Sequence, residues 1–128
     1  MDKIRDYFKK DRFAADNNIN IESMGEYHAV CSMVIEEKHR NADNHVMGGA
    51  IFTLADFTFA VAANSMGIGT ISLDANISFT GRAKGTKLIA EAKALKVGRR
   101  AGYYMVEVKD DIGNLVACVN VNGFNTKG

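Results

Sequence analysis

From Ala50 to Ala63 the chain reads AIFTLADFTFAVAA, an apolar run interrupted only by Thr53, Asp56 and Thr58. The apolar residues fall all round a helical wheel instead of on one stripe, which predicts a helix buried on most sides. Gly48-Gly49 open it, and Asn64 and Gly67 close it, so the expected central helix is 48–65. Such a helix dictates its surroundings, because something must cover most of its circumference. It is too short and too polar to span a bilayer, so the cover has to be protein.

The remaining sequence supplies that cover as strands. After Gly69 come four runs of strand character, Ile71–Thr80, Lys87–Val97, Gly102–Lys109 and Leu115–Gly123, separated by Gly81–Gly85, Gly98–Arg100 and a hairpin turn at Lys109–Asn114. Before the helix, Glu26–Glu37 alternates loosely and reads as one more strand, and His39–His45 is an irregular polar loop. Residues 1–16 read as a short amphipathic N-terminal helix carrying Ile4, Tyr7, Phe8 and Phe13, broken at Asn17-Asn18. With 128 residues there is room for one domain, 1–128, and proline is absent. One buried helix followed by an antiparallel meander is an α+β domain in which the sheet curls around the helix, the hotdog architecture.

Charge and composition narrow the class of function. Hydrophobic residues make up 47% and charged residues 24%, which excludes a disordered chain. Net charge is +1, yet Arg82 to Arg100 holds seven basic residues against the single acid Glu91. A local basic surface on a near-neutral protein suits a small polyanion better than a nucleic acid. The opening MDKIRDYFKKDRF lacks the apolar segment of a secretory signal, so the expected location is cytoplasmic, with no membrane partner. Cys31 and Cys118 then read as two buried, unpaired thiols. His28, His39 and His45 have no recognisable ligand spacing, and neither CxxC nor HExxH occurs, so no metal site is expected.

Two features carry chemistry. Asp56 is the only ionisable residue of the apolar helix, and a carboxylate in such surroundings is paired, protonated or functional. Gly48 and Gly49 open the helix without side chains, so the free N–H groups of its first turn can hold a carbonyl oxygen that gains negative charge. Neither GxxxxGK[ST] nor GxGxxG is present, so this is no phosphate loop. Gly48 and Asp56 stand about 12 Å apart along one helix. A general base must lie within about 3 Å of its proton. If both act on one carbonyl, they come from different subunits with antiparallel helices, which predicts a dimer.

These residues match a family. Asn41, then Met47-Gly48-Gly49, then Leu54-Ala55-Asp56 resembles the N-x5-H-G-G-x4-L-x-D signature of hotdog thioesterases of the phenylacetic-acid-degradation type. The likeness continues through FTFAVAANS, ISLDANISF, the GRAKGTKL turn and VGRR, from about His39 to Gly123. It implies hydrolysis of acyl-CoA thioesters by a homodimer, often paired into a homotetramer, with coenzyme A as part of the substrate and no separate cofactor. By resemblance, Gly48 donates its N–H to the thioester carbonyl and Asn41 supports it. Asp56 of the facing subunit is general base or nucleophile, and Ser72 helps hold the attacking water. Met47 and Gly49 border the substrate, and Lys84, Arg99 and Arg100 are the phosphate contacts.

The sequence departs from the pattern in three places. Met47 stands where the signature has His, Asn44 replaces a loop glycine in a role Asn can fill by tolerating left-handed backbone, and Gly81-Arg82-Ala83 lacks the usual proline. His45 reads as a solvated loop residue instead of a displaced catalytic imidazole. The loss of His at position 47 leaves a non-catalytic acyl-CoA or acyl-carrier binding module as the main rival, and an enoyl-CoA hydratase as a weaker one.

Overall fold

The computed structural model describes residues 2–128. Two short helices, α1 (Asp2–Phe8) and α2 (Arg12–Asp16), lead into strands β1 (Asn20–Gly25) and β2 (His28–Val34). A 3-10 turn at Glu37–His39 precedes the central helix α3 (Gly48–Ala63). Strands β3 (Thr70–Phe79), β4 (Lys87–Val97), β5 (Ala101–Asp110) and β6 (Leu115–Asn125) complete the domain. All six strands form one antiparallel sheet in the order β1-β2-β4-β5-β6-β3.

The sheet curls over α3, and all six strands touch the helix. Leu54, Phe59 and Val61 from α3 meet Met33, Leu88, Val106, Val108, Val119 and Val121 from the sheet, all essentially without solvent contact. Each such side chain contributes about 1.5–3 kcal/mol by leaving water. From Gly102 every second residue of strand β5 is buried and those between are exposed or half-buried, as a one-sided sheet requires. Phe59 also meets Tyr104 edge to face with ring centroids 5.1 Å apart. The end of α3 is tied to the start of β3 by Asn64. Its amide donates to the Ala60 and Thr70 carbonyls at 2.8 and 3.0 Å, and its oxygen accepts from the Gly69 and Thr70 N–H groups at 2.8 and 2.9 Å.

Three expectations about the elements need correction. The N-terminal helix 1–16 is two helices, because a straight continuation from Ile4 and Phe8 would have put Asp11 and Arg12 on the core-facing stripe. The break lets Ala14 take the buried position instead. The strand expected at Glu26–Glu37 is the second half of a hairpin, and β1 before it is a mostly exposed edge strand without a clear alternation. The turn between them sets Tyr27 at φ 52°. The central helix ends at Ala63, with Asn64 as its cap, instead of running to 65. The sheet curls around the central helix as expected; it is not closed, and Gly49, Thr53, Asp56 and Ala60 form a narrow, less covered stripe along α3. Of the two thiols, Cys31 is buried as expected, whereas Cys118 is only partly buried.

Candidate active site

The loop before α3 is built around Asn41. Its side-chain oxygen accepts from the N–H groups of Asp43 and His45 at 3.0 and 3.1 Å, and its own N–H donates to the His45 carbonyl at 2.8 Å. Asn44 sits at φ 62°, the left-handed backbone its residue type tolerates. His39 anchors the loop from below. Its buried ring accepts the Glu36 N–H on Nδ1 at 3.0 Å, so Nε2 carries the hydrogen and donates to Asn17 Oδ1 at 2.9 Å. Burial holds this imidazole below its usual range, with Glu36 opposing and Lys38 adding to the effect. The His39 carbonyl accepts the Met47 N–H at 2.8 Å, which fixes where the helix begins. His39 is therefore a loop anchor, and His45 is half-buried with its backbone closing the Asn41 turn.

At that beginning, Ala50 and Ile51 donate back to the Met47 carbonyl at 3.0 and 3.2 Å, whereas the N–H groups of Gly48 and Gly49 donate to nothing among the described residues. They point out at the positive end of the helix dipole. Space around Gly49 is open, while Gly48 lies under the Phe79 ring, where a Cβ would meet Cζ at 3.0 Å.

Asp56 is exposed on the outer stripe of α3, not buried as the apolar run suggested, since the sheet passes behind it. No hydrogen bond or salt bridge among the described residues engages its carboxylate. It faces two adjoining hollows. One, of about 550 Å³, includes Tyr7, Asp11, Phe59, Ser72 and Lys127. The other, of about 450 Å³, includes Lys10, Asp11, Arg12, Phe13 and Thr53. Partial enclosure by these walls raises its pKa, and the negative charge of Asp11 raises it further. Asp11 precedes α2 but makes no side-chain cap, so its own carboxylate is also unengaged, and partial burial raises it as well. Ser72 lies on β3 opposite Gly123, facing the helix side just before a bulge. The fold thus brings Asp56 and Ser72 to one hollow, and Asn41, Met47, Gly48 and Gly49 to a separate place at the start of the same helix.

The predicted phosphate contacts do not converge. Lys84 precedes β4 and Arg99 and Arg100 follow it, so the 11 residues of that strand separate them by about 35 Å. A phosphate bridging all three within one subunit is excluded. The Lys84 N–H is bound to Asp110 at 2.8 Å at one end of the sheet. At the other end, Arg100 stacks 5.9 Å over Phe124 and shares a cleft of about 190 Å³ with Lys127, which also lines the Asp56 hollow. Asp11 and Lys127 were invisible to sequence reasoning, one lying in a charged run and the other near the chain end, neither with a periodic context. A further hollow, of about 690 Å³, lies beneath α1 and α2, and the Asp6 carboxylate lining it is paired with Lys9 at 3.2 Å. Among the described residues no cluster of His, Cys, Asp or Glu is arranged to hold a metal, and no helix is long and apolar enough to cross a membrane.

Known proteins share this fold. Residues 43–117 match the model of the Thioesterase superfamily. An Archaeoglobus fulgidus protein that carries the name of an esterase is 36% identical over 119 residues, which span 91% of this chain and 77% of that protein. The acyl-coenzyme A thioesterase PaaI of Escherichia coli is 32% identical over 111 residues, 86% of this chain and 79% of its own. The solved structure of E. coli PaaI superimposes with a TM-score of 0.91 at 28% identity, covering 94% of this chain and 88% of that one. A hypothetical thioesterase of Streptococcus pneumoniae, solved with coenzyme A, shares the fold with a TM-score of 0.86 at 24% identity, over 93% of this chain and 96% of that one. The hotdog sheet, the helix start at Gly48 and the match across both together make this chain a member of the thioesterase superfamily, of the PaaI type.

Proposed function

We propose that the chain is an acyl-CoA thioesterase acting on a small or medium acyl group, aromatic ones included, with a carboxylic acid and free coenzyme A as products and no separate cofactor. The observation that carries this reading is a pair of unengaged amides and an unengaged, basic-shifted carboxylate on one helix, about 12 Å apart. In the reaction, the Gly48 N–H and the Asn41 amide hold the thioester oxygen. The Asn41 oxygen is committed to its own loop, which leaves only its NH₂ to donate. Asp56 of a second subunit takes a proton from water as the water adds to the carbonyl carbon, with Ser72 positioning that water. The carbon–sulfur bond then breaks, and the proton goes to the departing thiolate. Direct attack by Asp56, forming an anhydride that water then opens, uses the same geometry.

The distance between the two groups requires a homodimer with antiparallel α3 helices, which we extend to a homotetramer on the family resemblance alone. Support for the dimer comes from the uncovered stripe of α3 and from β3, an edge strand whose Ile71 and Leu73 stand in solvent. Arg100 and Lys127, beside the Asp56 hollow, are supported as phosphate contacts, with Arg99 on the same turn. We place the activity in the cytoplasm, in keeping with the unpaired thiols of Cys31 and Cys118. Thiol release from a panel of acyl-CoAs tests the reading. Asp56→Asn should lower turnover by about 10²–10⁴-fold, and undiminished turnover would remove Asp56 from the chemistry. Tight binding without thiol release would reassign the protein as a binding module.

A further inference from the structure

Two large apolar side chains stand in solvent beside the unengaged amides of α3, and the chemistry above leaves them unused. Met47, immediately before the helix, is 55% exposed and makes no capping hydrogen bond. Phe79 is also 55% exposed. Its register opposite buried Ala117 sends it to the helix side of the sheet, but as the last residue of an edge strand it overshoots the core. The ring lies instead on Gly48, with Cζ 3.0 Å and Cε1 3.2 Å from where a Cβ would be. Phe79 thus packs on the first turn at Gly48, the residue that follows Met47, so the two exposed apolar side chains flank the same unengaged amide.

The inference rests on the thioesterase reading, and the adjacency then fixes the occupant. A carbonyl oxygen held by the Gly48 N–H lies about 3 Å from that nitrogen. The carbonyl carbon carries only two other substituents, the sulfur and the first acyl carbon, so one of them must begin beside Phe79 and Met47. Sulfur leads into the amide-bearing arm of coenzyme A, whereas the acyl group is hydrocarbon. An aromatic ring and a flexible thioether match the hydrocarbon, the ring by stacking or edge contact and Met by conforming to irregular shapes. We propose that Phe79 and Met47 form the acyl-selecting surface of this site, favouring thioesters with apolar bulk, flat or branched, next to the carbonyl. The side chain that displaces the signature His thereby acquires a role of its own.

The test compares kcat/KM for acetyl-, hexanoyl- and benzoyl-CoA in the wild type, Phe79→Ala and Met47→Ala, with oligomeric mass measured alongside. The ratios of benzoyl to acetyl and of hexanoyl to acetyl should fall in both variants, by about ten-fold for Phe79→Ala, at unchanged mass. Equal loss on all three substrates would put the pair against the coenzyme A arm, and a changed mass would put it in a subunit interface. Either result overturns the proposal. If Phe79→Ala does not fold, Met47→Ala decides alone, since it truncates an exposed residue that caps nothing, and unmoved ratios there are equally fatal. Asp56→Asn run in parallel separates the two levels. Turnover surviving in that variant defeats the reading of the site, whereas an inactive Asp56→Asn with unmoved acyl ratios in the other two defeats this inference alone.

Discussion

Asp56 owes its basicity to its surroundings, because no donor holds its charged form. Partial enclosure comes first and Asp11 second, and the other charged or titratable groups facing the two hollows are Tyr7, Lys10, Arg12 and Lys127. A raised carboxylate pKa means that the folded chain prefers the protonated acid. The ionised form therefore costs stability at every pH above the folded pKa, and this cost disappears as pH falls through that value. Asp56→Asn should accordingly raise the thermal midpoint at neutral pH, with the gain vanishing as pH falls toward about 4. A lower midpoint at neutral pH would show that the carboxylate is anchored after all. Neutralising the neighbour has the opposite sign for catalysis. Asp11→Asn should move the acid limb of the kcat/KM profile to lower pH and reduce the plateau, since a less basic carboxylate takes a proton less readily. An acid limb that stays in place would assign the shift to enclosure alone.

Elements fail or hold according to how their ends are tied, and the β5–β6 turn depends on one carboxylate. Asp110 is buried and accepts from the N–H groups of Lys84, Gly85, Ile112 and Asn114 and from the Asn114 side chain, at 2.8–3.2 Å. Burial alone would raise its pKa, but the Asn114 amide and the backbone donors outweigh it and hold the carboxyl well below the usual range. Its contribution is thus complete above about pH 4, the unfolded value, and is lost as pH falls through the depressed folded value. Asp110→Ala should lower the thermal midpoint by about 5 °C or more at pH 7, with the deficit shrinking below pH 4. A pH-independent deficit would mean that packing, not the charge, is what was removed. This turn was legible beforehand in KDDIGN, as were α3 and the four later strands, because each announces itself through local residues and period. The break in the N-terminal helix and the edge strand β1 were not. Both follow from what Ala14 and β2 pack against, which local pattern does not encode.

At the scale of the whole molecule the same limit explains why Asp56 was read as buried. Apolar residues surround α3 because its own chain covers nearly all of it: the sheet lies behind, Phe8 of α1 packs on Phe57, and of residues 48–63 only Gly49 and Asp56 are exposed. In the proposed dimer, the stripe of Gly49, Thr53, Asp56 and Ala60, with the unpaired edge of β3, would face the second copy. The catalytic argument reaches that conclusion separately from the Gly48–Asp56 spacing, and mixed dimers test both together. In a two-fold dimer each site would take Gly48 and Asn41 from one subunit and Asp56 from the other. Combining an Asp56→Asn subunit with an Asn41→Ala subunit therefore places both lesions in one site and leaves its mate intact. After random exchange about half the dimers are mixed, and each has one working site, so activity should recover to about a quarter of the wild-type level. Each variant alone, at the same total concentration, should remain near its own residual rate. If the carboxylate and the amides served a carbonyl within one chain, every site would stay damaged and mixing would restore nothing. That result would dissolve the shared site, and the uncovered stripe on α3 would need another explanation.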